Sequence, residues 1–358
     1  MADRLGAAIR LQTISWGPER AADAAAFEQL HAFLETAYPA AHRAMTREKV
    51  GLSLVYRWPG KESGGAPIAF LAHQDVVPVE PGSEAAWTHP PFDGVVADGK
   101  VWGRGAVDDK GSIIALMEAV ERLAKAGFRP SRDVYILLGH DEEQSGLEGA
   151  RRIAELLKSR GARFEWTLDE GSALVDGVVS GVEGPVALLA TAEKGYATLR
   201  FDAVAEGGHS SAPGRFTAVS RVAGAVVAVS DHPYPVKMDA DSVAFFEALA
   251  PELPFAKRLM LANLWLTGPL VAQSLSQTPV VAAAMRTTTA PTMIAGGVKE
   301  NVLPQRAQAF VNYRIHPRDT VASVKARAEK LIDDPKVTVT VLGGNDPSPR
   351  SSRASKGF

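Results

Sequence analysis

The amino-acid sequence predicts two domains: an α/β domain built on a mostly parallel sheet with helices on both faces, and a smaller α+β domain. Two observations lead to this prediction. In the first half, continuous apolar runs alternate with amphipathic segments of helical period, which is the pattern of parallel strands joined by helices. After about residue 195, apolar and polar residues alternate within each run, as in half-exposed strands.

Three apolar runs predict the strands of the first domain. Residues 68–72 and 134–139 are short and continuous, as expected of strands covered on both faces, and residues 164–168 form a weaker third run. Residues 112–127 and 148–161 carry apolar side chains at helical spacing, and each segment ends at a glycine. The order strand, helix, strand, helix, strand implies parallel neighbours.

The second domain is predicted from alternating strands and amphipathic helices. The predicted strands are residues 196–205, 307–317 and 336–342, and the predicted helices are residues 218–230 and 323–334. Residues 207–214 are rich in Gly and Ser and predict a loop.

The composition excludes several classes of protein. The 358 residues carry a net charge of −2, which gives no field for nucleic acid or an anionic membrane. The sequence has no cysteine, so any metal must be held by His, Asp and Glu. Residues 1–20 are charged and lack a long apolar stretch, so a signal peptide is not expected. The cytoplasm is the default compartment, with secretion left open.

Acidic and imidazole side chains follow every predicted strand of the first domain. Because ligands bind outside the carboxyl ends of parallel strands, these side chains are expected at one rim of the sheet. They are His73 and Asp75, then Asp141, Glu142 and Glu143, then Asp169 and Glu170, with Asp108 and Asp109 in the loop before a helix. Gathered carboxylates destabilise one another unless cations lie among them. Two divalent ions would balance three carboxylates and a hydroxide, so the sequence predicts a two-metal hydrolytic site.

The spacing of these residues suggests roles. His73 and Asp75 are two apart and point to the same side of an extended chain, which suits a metal-binding imidazole held by a carboxylate. One Glu of the pair can bind metal while its neighbour acts as general base. Two plainer interpretations stay open: a histidine bonded to backbone, and acids that merely begin a helix. The motifs of serine hydrolases, P-loop proteins and HExxH metalloproteases do not occur.

A family resemblance extends over nearly the whole chain. Ten motifs occur in order: AHQDVVPV, WTHPPFDG, WGRGAVDDKGS, GHDEEQSGLEGA, LDEGS, AEKG, GHSSAP, MRTTTAPT, KENVLP and VNYRIHP. Through them the chain closely resembles the Gly-X carboxypeptidase (carboxypeptidase S) branch of the aminoacylase-like two-zinc peptidases, which includes N-acyl-amino-acid synthase/hydrolases. The resemblance implies a zinc-binding catalytic domain at residues 1–194 and a lid or dimerisation domain at residues 195–342.

Carried over position by position, the resemblance implies a set of site residues. The implied zinc ligands are His73, Asp108, Glu143 and Asp169. Asp108 would bridge two zinc ions, Asp75 would orient His73, and Glu142 would be the general base. Glu170 is the alternative to Asp169, while Asp109 and Asp141 would support or cap the site.

The resemblance also implies residues of the lid. His209 would stabilise the oxyanion, and Asn301 and Arg314 would bind a small peptide or N-acyl amino acid. A guanidinium suits the free carboxylate of such a substrate, although Arg314 is equally well interpreted as a surface cation on a strand. A homodimer formed through the lid is implied as well.

One departure from the family leaves an alternative open. The family supplies a last zinc-ligating histidine from a segment like HGxNE, and no such segment follows residues 343–358, which resemble the start of the return to the catalytic domain. The leading hypothesis is zinc-dependent hydrolysis of an amide bond next to a free carboxylate. The alternatives are a truncated, inactive fragment or dimerisation module, and a different metallohydrolase activity on the same scaffold.

Overall fold

The chain forms two compact units, Met1–Ser172 and Ala173–Ala354. A computed structural model describes residues 1–17, 20–62, 64–171, 173–177, 182–277 and 279–354. Residues 173–194 cluster with the second unit, and the predicted functional boundary at residue 195 stays a prediction. No helix in these described ranges combines the length and the hydropathy that crossing a membrane requires.

The first unit contains a five-stranded mixed sheet. Its elements are α1 (Ala2–Ile9), α2 (Ala24–Ala37), α3 (Pro39–Ala44), β1 (Thr46–Val50), β2 (Ser53–Trp58), β3 (Ile68–His73), β4 (Val95–Ala97), β5 (Lys100–Trp102), α4 (Lys110–Lys125), β6 (Val134–Gly139), α5 (Ala150–Ser159) and β7 (Trp166–Leu168). The strand order is β1-β2-β6-β3-β7. Strands β6, β3 and β7 are parallel, as predicted, whereas β1 and β2 add antiparallel neighbours that the sequence analysis did not predict.

Helices cover both faces of this sheet, which confirms the predicted fold class. On one face, Ile113 and Met117 of α4 share a core with Leu138 of β6. On the other face, Ile153 of α5 packs in a core with Leu137. Neighbouring residues of a strand point to opposite faces, so a strand covered on both sides must be apolar throughout.

Parallel pairing brings the carboxyl ends of the strands together. His73, the last residue of β3, lies in register with Gly139, the last residue of β6. The N–H of Gln74 donates to the carbonyl of Gly139 at 2.8 Å, so the pairing continues one residue past the end of β3. The residues that follow β3 and β6 are therefore neighbours although they are far apart in sequence.

The second unit is built on an antiparallel sheet. Its elements are β8 (Ala173–Val175), β9 (Val186–Leu188), β10 (Gly195–Val204), β11 (Gly208–His209), α6 (Ala218–Ser230), α7 (Ala240–Leu249), α8 (Phe255–Ala262), α9 (Leu264–Ser276), α10 (Pro279–Ala284), β12 (Thr288–Gly296), β13 (Val302–Leu303), β14 (Arg306–Ile315), α11 (Val321–Ile332) and β15 (Val337–Asn345). The main sheet has the order β12-β14-β10-β15. The predicted strands and helices of this half are confirmed as β10, β14, β15, α6 and α11.

One face of this sheet is covered and the other is open. Buried residues alternate with less buried ones along β10 and β14, and the buried set shares a core with α6 and α11. Thr217 and Thr320 begin these two helices with reciprocal side-chain and backbone hydrogen bonds to a serine three residues later. The helices therefore occupy a single face, and Arg314 lies on the opposite one.

Candidate metal centre

The predicted site residues of the first unit meet at the carboxyl rim of its sheet. Two groups of described residues offer ligand atoms that all lie within 4.8 Å of one another. The first group is His73, Asp109 and Glu170, and the second is His73, Glu142 and Glu143. His73 belongs to both groups, so it is the centre of the cluster.

The two ring nitrogens of His73 face different partners. Its Nδ1 lies 2.9 Å from the backbone carbonyl of Asp75 and 3.3 Å from Oδ1 of the same residue. Its Nε2 lies 2.8 Å from Oδ1 of Asp108, 3.1 Å from Oε2 of Glu170 and 3.9 Å from Oε2 of Glu142. One nitrogen is thus held by a neighbouring residue while the other faces a group of carboxylates, which is the geometry of a metal-binding histidine.

Electrostatics in the site favour protons or cations. Burial alone would lower the pKa of His73, but hydrogen bonds to Asp75 and Glu170 raise it to about 12. Burial, together with Glu170 and Glu143, raises the pKa of Glu142 to about 7, against the opposing effect of His73. Burial raises the pKa of Asp109 to about 6. Burial is the largest cause of both increases, so these two carboxyl groups hold their protons to a higher pH than usual.

The pKa of Asp75 shifts in the opposite direction, because hydrogen-bond donors of the protein stabilise its negative charge. The carboxylate is fully buried and accepts the N–H groups of Glu142 and Glu143, each at 3.1 Å. It also accepts the hydroxyl of Ser15 at 2.7 Å. Burial would raise the pKa of Asp75, but His73 and Ser15 lower it below its usual range. Asp75 therefore holds the loop after β6 as well as the ring of His73.

The two acids of the loop before α4 have different surroundings. Asp109 is buried, precedes the first residue of α4 and accepts the backbone N–H of His73 at 3.2 Å. The side chain of Asp108 is 65% exposed, although its Oδ1 reaches Nε2 of His73. Asp108 is thus accessible to a ligand, whereas Asp109 fixes the end of β3. The predicted bridging role of Asp108 stays a prediction.

Asp169 and Glu170 stand side by side after β7. Glu170 points its carboxylate at His73, while Oδ1 of Asp169 accepts the N–H of Glu170 at 2.9 Å. Burial raises the pKa of Asp169, against the backbone hydrogen bond from Glu170, which lowers it. Among the described residues, neither Asp169 nor Asp108 belongs to the two groups of ligand atoms. The structure therefore brings Glu170, the sequence-based alternative, to the imidazole, and the choice of Asp169 stays a prediction.

In the second unit, the predicted residues His209 and Asn301 are neighbours. His209 ends the short strand β11 and lies in register with Val302 of β13. The N–H of Ser210 donates to the carbonyl of Asn301 at 3.1 Å, and Oδ1 of Asn301 is a buried atom without a hydrogen-bond partner. His209 is exposed, and its Nδ1 lies 2.8 Å from the hydroxyl of Ser211.

Arg314 is exposed on the open face of the second sheet. It lies in register with Tyr196 of β10 and with Thr288 of β12. Lys194 and Arg286 add two further cations: burial together with Arg314 and Arg286 lowers the pKa of Lys194 to about 8. Nζ of Lys194 donates to the carbonyl of Arg286 at 2.9 Å. Lys194 and Arg286 were not predicted as site residues, although they lie in the AEKG and MRTTTAPT motifs.

A cluster of carboxylates around one imidazole, at the carboxyl rim of an α/β sheet, defines the class of metal-dependent hydrolases. The family model described as Peptidase family M20/M25/M40 matches residues 69–346. The chain belongs to this family. It is an enzyme of the metallopeptidase and amidohydrolase type, in agreement with the sequence-based resemblance.

Several relatives support this assignment. The chain is 37% identical over 355 residues to the N-fatty-acyl-amino acid synthase/hydrolase PM20D1 of Xenopus tropicalis, covering 98% of this chain and 69% of that protein. It is 36% identical to a probable carboxypeptidase S-like protein of Dictyostelium discoideum, covering 100% of this chain and 70% of that protein. These relationships favour the hydrolase hypothesis, and neither of them favours an inactive fragment.

Solved structures share the fold. An M20 family metallo-carboxypeptidase from Sulfolobus solfataricus superposes with a TM-score of 0.62 at 17% identity, covering 98% of this chain and 79% of that one. Human carnosine dipeptidase 1 gives a TM-score of 0.59 at 16% identity, covering 98% of this chain and 78% of that one. At this level of identity the match concerns the fold alone.

Proposed function

We propose that the protein hydrolyses an amide bond next to a free carboxylate, in a zinc-dependent reaction on peptides or N-acyl amino acids. One observation carries the proposal: Nε2 of His73 faces the carboxylates of Asp108, Glu170 and Glu142 at 2.8, 3.1 and 3.9 Å. The names of the relatives support the substrate class, since they describe a fatty-acyl-amino acid synthase/hydrolase and a carboxypeptidase S-like protein.

The donor set suits zinc. Imidazole nitrogen and carboxylate oxygen are ordinary zinc ligands, and His73 offers such atoms together with Glu142 and Glu143 on one side and Asp109 and Glu170 on the other. In this proposal His73 and either Asp169 or Glu170 would hold one zinc ion, Glu143 would hold a second, and Asp108 would be shared between them. A zinc ion supplies Lewis acidity, which favours ionisation of a water and polarises an amide carbonyl.

Glu142 is the proposed general base. Its carboxylate lies 3.9 Å from Nε2 of His73, inside the cluster of proposed ligands, where it would remove a proton from the attacking water. Oxygen then bonds to the carbonyl carbon, and the carboxyl group of Glu142 returns the proton to the amide nitrogen as the carbon–nitrogen bond breaks. A carboxylic acid and a free amine result. Asp75 takes no part in these transfers, and it holds the backbone of Glu142 and the ring of His73 in place.

We assign substrate binding to the second unit. The exposed guanidinium of Arg314, together with Lys194 and Arg286, would attract the free carboxylate of the substrate. His209 would donate to the oxyanion, and Asn301, whose backbone carbonyl is bonded to the N–H of Ser210, would contribute to substrate binding. In this proposal residues 195–342 act as the lid.

A homodimer through this lid is part of the proposal. Strand β12 is an edge of the four-stranded sheet, and its residues from position 290 onward are exposed. An exposed edge strand offers unpaired backbone groups to a second chain. Sedimentation at several protein concentrations tests the dimer, and a monomer at every concentration would contradict it.

The proposed reaction is tested with N-fatty-acyl amino acids and with short peptides, by measuring the released amino acid. Zinc-loaded protein should hydrolyse one of these classes, and removal of zinc by a chelator should abolish the activity until zinc is restored. Matched substrates whose carboxylate is blocked as an amide should react much more slowly. Activity that persists in the chelator would contradict the metal mechanism, and equal rates on blocked substrates would contradict the role of the carboxylate.

A further inference from the structure

The segment before the first long helix runs alongside the chain that leaves β3. Ile14 and Val76 form an isolated parallel bridge. The N–H of Ser15 donates to the carbonyl of Val76, and the N–H of Val76 donates to the carbonyl of Thr13, both at 3.0 Å. Residues 13–15 therefore pair with the chain just beyond the end of β3, next to the candidate metal centre.

Ser15 completes the hydrogen bonds of Asp75. Its hydroxyl donates to Oδ2 of Asp75 at 2.7 Å, and the Ser15 residue is only 4% exposed. Oδ2 also accepts the N–H of Glu143, while Oδ1 accepts the N–H of Glu142 and lies near Nδ1 of His73. A carboxylate has about four acceptor positions. Donors from three separate segments of the chain thus occupy the carboxylate of Asp75.

We propose that Ser15 is a positioning residue of the metal centre, acting through Asp75. The inference rests on the proposed function and adds a residue to it. The hydroxyl fixes the rotation of the Asp75 carboxylate, and this carboxylate sets the backbone of the general base Glu142 and of the ligand Glu143 relative to His73. Loss of a partner that holds a metal ligand usually lowers metal affinity or activity by about 10- to 100-fold.

A purely structural hydroxyl would behave differently. Thr13 provides the matched comparison, since its hydroxyl is equally buried in the same segment and donates to the backbone carbonyl of Gln74 at 2.6 Å. Removal of either hydroxyl costs a buried hydrogen bond. Of the two hydroxyls, only that of Ser15 donates a hydrogen bond to Asp75. Variants that remove one hydroxyl or the other therefore distinguish a local loss of stability from a loss of positioning.

The experiment compares the full chain with three variants: Ser15→Ala, Ser15→Thr and Thr13→Val. The first measurement needs no metal: amide hydrogen exchange of Glu142 and Glu143 in metal-free protein should be about fivefold faster in Ser15→Ala, the effect of one lost hydrogen bond. The second is Zn²⁺ affinity by chelator competition, which should fall by about tenfold. The third is the rate of amide hydrolysis, where kcat should fall by about tenfold with KM nearly unchanged.

Ser15→Thr keeps the hydroxyl and should restore all three quantities, and Thr13→Val should leave them within about twofold of the wild type. The inference is overturned if Ser15→Ala matches Thr13→Val in exchange and in Zn²⁺ affinity, or if Ser15→Ala unfolds at 25 °C, since Ser15 would then serve stability. The exchange measurement decides the matter even if the wild type hydrolyses none of the substrates, an outcome that would count against the proposed function alone.

Discussion

Replacement of Asp75 by Asn should weaken both the fold and the metal centre. Asn has the same shape but carries one oxygen and one NH₂ group, so one of the two positions that accept N–H groups becomes a donor. If the NH₂ group replaces Oδ2, the hydroxyl of Ser15 can rotate and accept a hydrogen bond from it. The N–H of Glu143, however, loses its partner. If it replaces Oδ1, the N–H of Glu142 is left unpaired beside Nδ1 of His73.

The magnitude follows from these contacts. A buried N–H left without a partner costs about 1–3 kcal/mol, and the remaining bonds lose the strengthening that a charged acceptor gives them. We expect the free energy of unfolding of metal-free protein to fall by about 2–4 kcal/mol. Zn²⁺ affinity should fall by about 10- to 100-fold, because the backbone of Glu143 and the ring of His73 both lose a fixed support.

Urea unfolding and chelator competition measure the two effects, with Asp133→Asn as the control. Asp133 also accepts a backbone N–H, that of Gly60 at 2.8 Å, but it precedes the first residue of β6, at the opposite end of that strand from Glu142. This control should lose stability without losing Zn²⁺ affinity. If Asp75→Asn retained Zn²⁺ affinity within about twofold, or its loss were matched by Asp133→Asn, the reasoning about Asp75 would be refuted.

Three further predictions concern roles at the reaction centre. Glu142→Gln should lower kcat by a factor of about 100 or more while bound zinc is retained, and loss of zinc would instead make Glu142 a ligand. Glu170→Gln should reduce Zn²⁺ affinity more than Asp169→Asn does, because Glu170 faces His73 at 3.1 Å, and the reverse order would restore Asp169 as the ligand. Arg314→Met should raise KM for substrates with a free carboxylate and leave carboxamide substrates unaffected. Equal effects on both substrates would refute carboxylate binding by Arg314.

The sequence predicted the interior of the first sheet because burial on both faces leaves a strong signal. Strand β6 is apolar along its length and β3 is apolar up to its last residue, His73, and the helices between the parallel strands have regular apolar stripes. Strand β1 reads TREKV and is mostly exposed, so it lacks this signal. In the second unit, β12 includes Pro291 and is exposed over most of its length, as an edge strand can be. Its position depends on pairing with β14, which local patterns do not report.

The site could be predicted as far as the ends of the strands could be predicted. Acids that follow parallel strands meet because the strands are parallel, so His73 and Glu142 could be placed together from their positions alone. The choice between adjacent acids depends on side-chain direction at a bend, and for this reason Glu170 could not be separated from Asp169. Ser15 gave no signal, since its contact with Asp75 joins residues that are 60 positions apart.

The carboxyl groups of the centre fall into two kinds, and the pKa values distinguish them. Asp75 is fully buried, yet its pKa is lowered, because N–H and O–H donors of the protein stabilise its charge. Glu142 and Asp109 are less well supplied with donors, and their pKa values rise to about 7 and about 6. A carboxylate that the protein already satisfies has little to offer a metal ion, whereas one that it leaves unsatisfied binds either a proton or a cation. The comparison therefore supports the proposal that Asp75 positions the site while Glu142 takes part in the proton chemistry.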